Sequence, residues 1–262
     1  MTKLENGANG ARKKYLRYGV VGAVAATLIA CASLDESFAP PEEQLQAAAL
    51  SAWSGIKKQE QVTTNPKYTS RMRRVAPRVI RAAGGDPAQW EVVVFQSDQL
   101  NAFALPGGKI GFYTGILDLM DNDDQIAAVM GHEVAHVKFR HAALRAGRAN
   151  QTQLGLGLGG AALGASGVQN AGAWMQIFGA GVTVANTLPF SREHELEADR
   201  EGLYYMARAG YEPYEAVKFW QKMEAKKDGA PPEFLSTHPS GGTRIQQLEA
   251  EIAKMKAGGV GS

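Results

Sequence analysis

The 262-residue chain has a single cysteine, Cys31, so no disulfide can form within the chain. It also lacks an excess of charge, since 28 basic and 26 acidic side chains give a formal net charge of +2. Five of the basic residues and one of the acidic residues fall in residues 1–30, and the remainder has a net charge of −2. This balance gives no support for nucleic-acid binding, so we expect no nucleic-acid partner.

Long apolar runs are scarce, and the clearest one lies at the N-terminus. A basic segment over residues 12–17 precedes the apolar run Tyr18–Ala30. That run is shorter than the roughly 20 residues that a membrane-spanning helix needs. A basic region followed by a short apolar region is typical of a secretory signal peptide. We therefore expect residues 1–30 to be a signal peptide that the mature protein lacks.

The apolar run ends in the sequence Leu-Ile-Ala-Cys over residues 28–31, which matches the bacterial lipobox. The cysteine of a lipobox is acylated and becomes the mature N-terminus, so Cys31 is the predicted lipid attachment site. Ala32 and Ser33 follow without the aspartate that retains enteric lipoproteins at the inner membrane. We expect a protein that contacts the outer membrane of a Gram-negative bacterium through its lipid and faces the periplasm.

Beyond residue 30 the sequence predicts a mainly helical chain with one small sheet. Residues 31–65 are expected to form the lipidated tether and an N-terminal helix, and residues 66–262 a single domain. The patterns predict helices over 42–58, 66–83, 115–121 and 191–209, one starting at 213, one over 240–256, a strand over 90–95, and a hairpin of 101–105 with 109–114. The expected fold class is therefore α+β, mainly α.

The most informative motif is His-Glu-x-x-His, formed by His132, Glu133 and His136 inside the apolar, helix-like run 125–141. Residues four apart lie on one face of a helix, so the two imidazoles can bind one tetrahedral metal ion. The glutamate between them is placed to take a proton from a metal-bound water. Asn122 and Gln125 form the N-cap pair that starts this helix.

A catalytic zinc ion needs a third protein ligand and an open position for water. We reject His141 as the third ligand because, on a continuous helix, its side chain would point about 140° away from that of His136. Glu195 and Asp199, four residues apart on the helix predicted over 191–209, fit better. One carboxylate can bind the metal while the other fixes the tautomer of a ligating histidine. Periodicity alone leaves three alternatives open, namely Glu193, His194 and Glu197.

Several motifs along residues 66–256 carry a family resemblance. They are His132-Glu-Val-Ala-His136, Ser191-Arg-x-x-Glu195-x-x-Ala-Asp199, Asn101-Ala-Phe-Ala-Leu-Pro-Gly-Gly108, Thr114-Gly-Ile-Leu117, and Ser236-Thr-His-Pro-Ser240 with Arg244-Ile245. Together they resemble the gluzincin family of HtpX, the CAAX prenyl endopeptidases and BepA, especially its periplasmic LoiP/BepA-like lipoprotein branch. The chain departs from HtpX and the prenyl endopeptidases because it has no predicted transmembrane helices, which argues against a prenylated substrate.

The resemblance implies a gluzincin metallopeptidase domain with a small sheet beside the His-Glu-x-x-His helix. It implies one Zn²⁺ per chain, with Glu195 as the third ligand. It also implies that Asp199 accepts a hydrogen bond from the outer ring nitrogen of a ligating histidine. The implied activity is hydrolysis of peptide bonds in unfolded or misassembled envelope proteins, as protein quality control. The outer-membrane assembly machinery is then a candidate partner.

Two further residues are candidates for the reaction itself. His238 is held in an extended turn by Pro239, and the resemblance makes it a catalytic residue, either an oxyanion donor or a transient fourth zinc ligand. Arg244, six residues later at a predicted helix start, is the expected supporting cation. The strand of Lys109, Ile110, Gly111 and Phe112 is predicted to offer an unpaired edge to an extended substrate.

A glycine-rich stretch, residues 151–183, contains nine glycines. We expect closely packed small-residue helices or a mobile cover over the cleft. If that cover or His238 blocks the cleft, the protein is a zinc-bound but proteolytically quiet chaperone or assembly factor for outer-membrane proteins. A cell-wall amidase is a further alternative, because the same metal chemistry cleaves other amides.

Overall fold

The computed structural model describes residues 36–155, 190–226, 232–239 and 243–259. The predictions for the signal peptide, for Cys31 and for most of the glycine-rich stretch lie outside these residues. In chain order the elements are α1 Glu42–Gln59, α2 Pro66–Ala82, a 3₁₀ turn Pro87–Gln89, β1 Glu91–Phe95, β2 Ala102–Leu105, β3 Lys109–Tyr113, α3 Thr114–Leu119, α4 Asp123–Lys138, α5 His141–Gly155, α6 Arg192–Arg208, α7 Tyr214–Ala225, α8 Glu233–Thr237 and α9 Arg244–Ala257. The predicted α+β, mainly helical class is confirmed.

The three strands form one sheet in the order β1-β3-β2. β2 and β3 are the predicted antiparallel hairpin, whose turn contains Gly107 and Gly108 at φ values of 77° and 72°, which glycine adopts readily. β1 pairs with the other side of β3 in parallel. The prediction that Lys109 to Phe112 offers an unpaired edge is therefore wrong, because β3 is hydrogen-bonded along both sides.

Side chains alternate between the two faces of this sheet and enter two cores. Ile110 and Phe112 of β3 pack into the larger core with α2, α4, α6, α7 and α9. Tyr113 faces the opposite side and joins a smaller core beneath α1. There Trp53 of α1 meets the ring of Phe95 edge-on, with 5.8 Å between the ring centroids. The N-terminal helix is thus packed onto the sheet.

Helices α4 and α6 cross with their backbones in contact at Gly131 and Gly202. A Cβ atom on Gly131 would lie 2.6 Å from the carbonyl oxygen of Gly202, and one on Gly202 would lie 2.8 Å from the amide nitrogen of His132. Neither distance leaves room for a methyl group. This glycine contact sets the two helices that carry the predicted metal ligands side by side.

The start of α4 is fixed by a side-chain network. Asn122 accepts a hydrogen bond from the Gln125 backbone N–H, as predicted, whereas the Gln125 side chain accepts from the N–H of Asp121. The Asn122 and Gln125 amides both donate to Oε2 of Glu215 in α7, at 2.9 and 2.8 Å. Hydrogen bonds from Lys218 first, then from these amides, lower the pKa of Glu215 to about 2 against the effect of burial.

The end of α4 differs from the prediction. The helix-like run 125–141 is not continuous, because α4 ends at Lys138 and Arg140 adopts a φ of +55°. His141 is the first residue of α5. His141 therefore lies on a different helix from His136, and the angle of about 140° expected on a continuous helix does not apply. Within the described residues, no helix combines the length and the apolar character needed to cross a membrane.

Candidate metal centre

His132 and His136 lie one turn apart on α4 and point into the same buried space. Their Nε2 atoms are 3.0 Å apart, and each residue is only 3% exposed. Every residue of α4 from Gln125 to His136 is buried, so both imidazoles are removed from water. The spacing of the motif thus brings together two nitrogen donors, as the sequence predicted.

Glu195 enters the same space from the first turn of α6. Its Oε1 lies 3.3 Å from Nε2 of His136, and its Oε2 lies 3.6 Å from Nε2 of His132. The Ser191 side chain caps this helix by accepting from the N–H of His194, which fixes where the first turn begins. Burial favours the neutral acid, but the charge of His238 and the hydrogen-bond contacts with His136 and His238 hold the pKa of Glu195 well below its ordinary value.

His238 completes the cluster from the end of α8. Its Nδ1 lies 3.1 Å from Oε1 of Glu195 and 3.1 Å from Nε2 of His132. Ligand atoms of His132, His136, Glu195 and His238 all lie within 4.8 Å of one another. Within the described ranges, these four form the only group of metal-ligating side chains of this kind. Glu193, His194 and Glu197, which periodicity left open, are outside it.

The arrangement of the nitrogen and oxygen atoms in this cluster favours a bound cation. Asp199 accepts the Nδ1 proton of His132 at 2.9 Å, so Nε2 of that ring carries a lone pair. That lone pair faces Nε2 of His136 and Oε2 of Glu195, and Nε2 of His136 in turn faces Oε1 of Glu195. Lone pairs directed at one another repel, and a shared cation removes the repulsion. Two imidazoles and one carboxylate are the ligands of a gluzincin zinc site, and tetrahedral Zn²⁺ accepts them.

Arg244 balances the carboxylates behind the cluster. One guanidinium nitrogen donates to Oε2 of Glu195 at 3.2 Å, and the other donates to Oδ1 of Asp199. Its Cζ lies 3.5 Å from the ring centroid of Trp220 in α7, and the side chain is 5% exposed. The arginine therefore pairs with two buried carboxylates from one fixed position.

Glu133 is buried beside the four donor residues, and one of its oxygens makes no hydrogen bond. Its Oε1 makes no hydrogen bond, and Nε2 of His238 lies 3.4 Å from it. Burial raises the pKa of Glu133 above its ordinary value. A carboxylate that has a raised pKa and an oxygen without a hydrogen bond is suited to accepting a proton.

His141 lies next to the cluster without joining it. Its Nδ1 is 2.9 Å from Nδ1 of His136, and its Nε2 is 3.1 Å from Oε2 of Glu197. Burial, followed by the charge of His194, lowers the pKa of His141 to about 3. His141 is not one of the four donor residues, which agrees with its rejection as a ligand. Its contact with His136 was not predicted because it depends on the turn at Arg140.

The structure places together seven of the predicted site residues, namely His132, Glu133, His136, Glu195, Asp199, His238 and Arg244. It does not place the β3 strand at an open edge. Sequence reasoning missed Phe190, whose ring stacks on His136 at 4.1 Å between centroids, and Trp220 beneath Arg244. An aromatic residue directly before the N-cap Ser191 was the available signal for Phe190.

A small cavity of about 80 Å³ adjoins the cluster. It runs between His136, the β2 residues Ala104 and Leu105, and Ala142 of α5. β2 is an edge of the three-stranded sheet. A larger cavity of about 760 Å³ lies behind the cluster among α5, α6 and α9 and includes none of the four donor residues.

The fold and this donor set define the gluzincin class of metallopeptidases: two histidines on one helix, a glutamate on a second, and a glutamate beside them. The chain belongs to peptidase family M48, whose sequence model matches residues 66–252.

Relatives agree with that assignment. The chain is 36% identical over 189 residues to the mitochondrial metalloendopeptidase OMA1 of Schizosaccharomyces pombe, covering 70% of this chain and 54% of the relative. It is 34% identical over 202 residues to OMA1 of Saccharomyces cerevisiae, covering 70% and 56%. With the beta-barrel assembly-enhancing protease of Escherichia coli K12 it shares 28% identity over 256 residues, covering 88% and 52%. The chain spans about half the length of these curated relatives.

Proposed function

We propose that this protein is a zinc-dependent endopeptidase that hydrolyses peptide bonds of unfolded or misassembled envelope proteins. One observation carries the proposal: the buried convergence of His132, His136 and Glu195, with Glu133 beside them. Membership of family M48 supports a peptidase. The bacterial relatives are named for β-barrel assembly, which supports an envelope setting when combined with the lipobox at Cys31.

In this proposal His132, His136 and Glu195 hold the zinc ion. When bound, Zn²⁺ polarises a peptide carbonyl and lowers the pKa of a water molecule. Asp199 keeps the proton of His132 on Nδ1, so that Nε2 stays available as a donor. Arg244 neutralises the carboxylates of Glu195 and Asp199. Glu195 and the two ligating histidines therefore remain aligned in the buried site.

Glu133 acts as the general base and then as the general acid. Its Oε1, which makes no hydrogen bond in the structure, accepts a proton from the attacking water and passes it to the leaving amine. Burial shifts the pKa of this carboxyl group upward, in the direction of neutral pH, where it can both accept and donate a proton efficiently.

His238 has two proposed roles, and the geometry favours one of them. In this conformation its Nδ1 is within reach of the same point as the other three donors, which suits a fourth ligand. A peptidase needs that position open for water and substrate. His238 must therefore move away during turnover, and Nε2 is then free to donate to the oxyanion.

The substrate is proposed to bind along β2 instead of β3. β2 is an edge strand, and its residues Ala104 and Leu105 line the same cavity as His136. Extended peptides add to sheet edges through main-chain hydrogen bonds, which read little side-chain identity. Such binding suits cleavage of unfolded chains.

The test is cleavage of unfolded casein by the zinc-loaded protein, with Glu133→Gln as the matched control. This substitution keeps the shape and the metal ligands but removes the base, so turnover should fall by about 10²- to 10⁴-fold. Equal turnover in both proteins would contradict the proposal.

The second candidate function, a zinc-bound chaperone without proteolysis, is favoured by the fourth donor position of His238. It predicts no casein cleavage by the wild type or by Glu133→Gln, with refolding assistance intact in both. His238→Ala separates the two candidates further. If His238 merely occupies the open position, its removal produces cleavage that the wild type lacks.

The proposed location is tested separately through Cys31. Labelled fatty acid should be incorporated into the wild type, which should fractionate with outer membranes. A Cys31→Ala protein should incorporate none. Equal labelling of the two proteins would show that Cys31 is not the lipid attachment site.

A further inference from the structure

The two ligating histidines differ in what holds their second ring nitrogen. Nδ1 of His132 meets the carboxylate of Asp199 directly, at 2.9 Å. Nδ1 of His136 meets Nδ1 of another histidine, His141, also at 2.9 Å. A carboxylate, Glu197, stands on the far side of His141, with 3.1 Å between Glu197 Oε2 and His141 Nε2.

The proton positions along this chain of contacts follow from one requirement. For Nε2 of His136 to bind a metal it must be unprotonated, so the proton of that ring is on Nδ1. This proton points at Nδ1 of His141, which must therefore accept it. The proton of His141 is then on Nε2, where it donates to the ionised Glu197. The two hydrogen bonds, Glu197–His141 and His141–His136, each need one donor and one acceptor. With Nε2 of His136 unprotonated, only this arrangement of protons supplies them.

We propose that His141 and Glu197 are positioning residues that set the tautomer and ring orientation of His136 for metal binding. We call the contacts His136–His141–Glu197 the indirect arm, and His132–Asp199, with Arg244, the direct arm. The inference rests on the proposed zinc site, and it assigns to these two residues the task that a single carboxylate performs for His132.

The surroundings of His141 hold its ring in place. It is fully buried, and its ring stacks on His194 with 4.4 Å between centroids and 11° between planes. Arg140 at φ +55° ends α4 and turns the chain so that His141 lies beside His136. Because α5 starts at this residue, the ring position is set by backbone as well as by packing.

Glu197 differs from Asp199 in its exposure. Its side chain is 37% exposed, against 9% for Asp199. Arg200, one helical turn away on the surface, is its nearest cationic partner in the structure, at 3.9 Å. The charge of Glu197 is therefore partly screened by water, and we expect its removal to cost less metal affinity than removal of the His141 acceptor.

The first experiment reads the tautomers directly in metal-free protein with ¹⁵N-labelled histidine. The chain has five histidines, so each ring can be assigned from single substitutions. We expect His136 to carry its proton on Nδ1 and His141 on Nε2. A His136 ring protonated on Nε2, or a His141 ring protonated on Nδ1, would overturn the inference.

The second experiment measures zinc affinity by competition with a chromophoric chelator. His141→Phe keeps a buried ring but removes the acceptor, and affinity should fall by about 10- to 100-fold. His141→Asn places an amide oxygen near the former Nδ1 and should restore most of the loss. Glu197→Gln should show a smaller loss than His141→Phe.

The matched control is Glu201→Gln, which removes one negative charge from the same helix without touching His141. It should leave zinc affinity unchanged. Equal affinities for wild type and a folded His141→Phe would contradict the inference, as would equal losses in Glu197→Gln and Glu201→Gln. If His141→Phe does not fold, the tautomers of the wild type and the Glu197 comparison still decide the question.

These outcomes are separate from failure of the proposed function. A wild type that binds no zinc would refute the metallopeptidase proposal, whereas the tautomers are measured without metal. A protein that binds zinc but cleaves nothing would still test the indirect arm through affinity.

Discussion

The direct and indirect arms support adjacent histidines of one motif by different means. In the direct arm a buried carboxylate contacts the imidazole and is itself paired with a buried arginine. In the indirect arm a neutral histidine separates the imidazole from a carboxylate at the surface. The sequence of α4 gives no hint of the difference, since it arises from α5, α6 and α9.

The pKa directions of the two ligands reflect this contrast. Burial alone would lower both values. For His132 the hydrogen bond and charge of Asp199, with the charge of Glu195, outweigh burial and raise the pKa. For His136 burial and the charge of His132 dominate, and the pKa falls well below its ordinary value. The contacts with Asp199 and Glu195 therefore outweigh burial at His132, whereas at His136 the hydrogen bond and charge of Glu195 do not.

The largest effect is expected from breaking the direct arm with Arg244→Leu. The substitution leaves Glu195 and Asp199 as buried carboxylates without their common cation. Loss of one partner from a buried pair lowers the free energy of unfolding by about 3–5 kcal/mol. Urea unfolding in the presence of a chelator measures this change.

Arg200→Leu is the matched control, because Arg200 lies on α6 with its side chain 50% exposed. A surface pair contributes only about 0–1 kcal/mol. If Arg244→Leu and Arg200→Leu lowered the free energy of unfolding by similar amounts, the direct arm would contribute no more than a surface ion pair.

Gly131→Ala should disturb the direct and the indirect arm at once, because both arms join a histidine of α4 to a carboxylate of α6. The new Cβ would lie 2.6 Å from the Gly202 carbonyl oxygen, a contact that only a backbone movement can relieve. We expect a loss near the upper end of the roughly 1–3 kcal/mol typical of overpacking, with weaker zinc binding. Thermal unfolding and chelator competition measure the two effects.

Gly55→Ala in α1 provides the control, since its Cβ would meet no atom within 4 Å. There the gain in helix preference should stabilise the protein by about 0.5–1 kcal/mol. A Gly131→Ala protein as stable as the wild type would contradict the close helix crossing.

The smallest effect is expected from Glu215→Gln, which alters a carboxylate that supports α4 without belonging to either arm. Its lowered pKa means that the ionised form stabilises the folded state. That contribution is present above its unfolded pKa near 4.5 and is lost as the pH falls towards about 2. At neutral pH we expect a loss of about 1 kcal/mol, with zinc affinity unchanged.

Unfolding of both proteins at a series of pH values tests this prediction. The stability difference should shrink below pH 4.5 and disappear near pH 2. A difference that is independent of pH, or a parallel loss of zinc, would assign Glu215 a different role.

The parts of the centre that were predictable from sequence are local or carried by motifs. The four-residue spacing of His132 and His136 sufficed because helix geometry fixes their common face. Glu195 and Asp199 were identified through a resemblance of several motifs, since periodicity alone left Glu193, His194 and Glu197 open.

What could not be predicted depends on contacts between distant segments. A hairpin pattern does not reveal that β1 pairs with the far side of β3, so the edge was assigned to the wrong strand. The end of α4 was missed because an arginine, not a glycine, adopts the positive φ at residue 140. Glu215 is 90 residues beyond Gln125, and no local pattern links them.

The central claim is that Glu195, from a separate helix, completes the metal site begun by His132 and His136. Metal analysis of purified wild type, Glu195→Ala and Glu133→Gln after incubation with zinc tests it most directly. We predict equimolar zinc in the wild type and in Glu133→Gln, which retains every ligand, and little zinc in Glu195→Ala. A folded Glu195→Ala protein with the zinc content of the wild type would contradict the account.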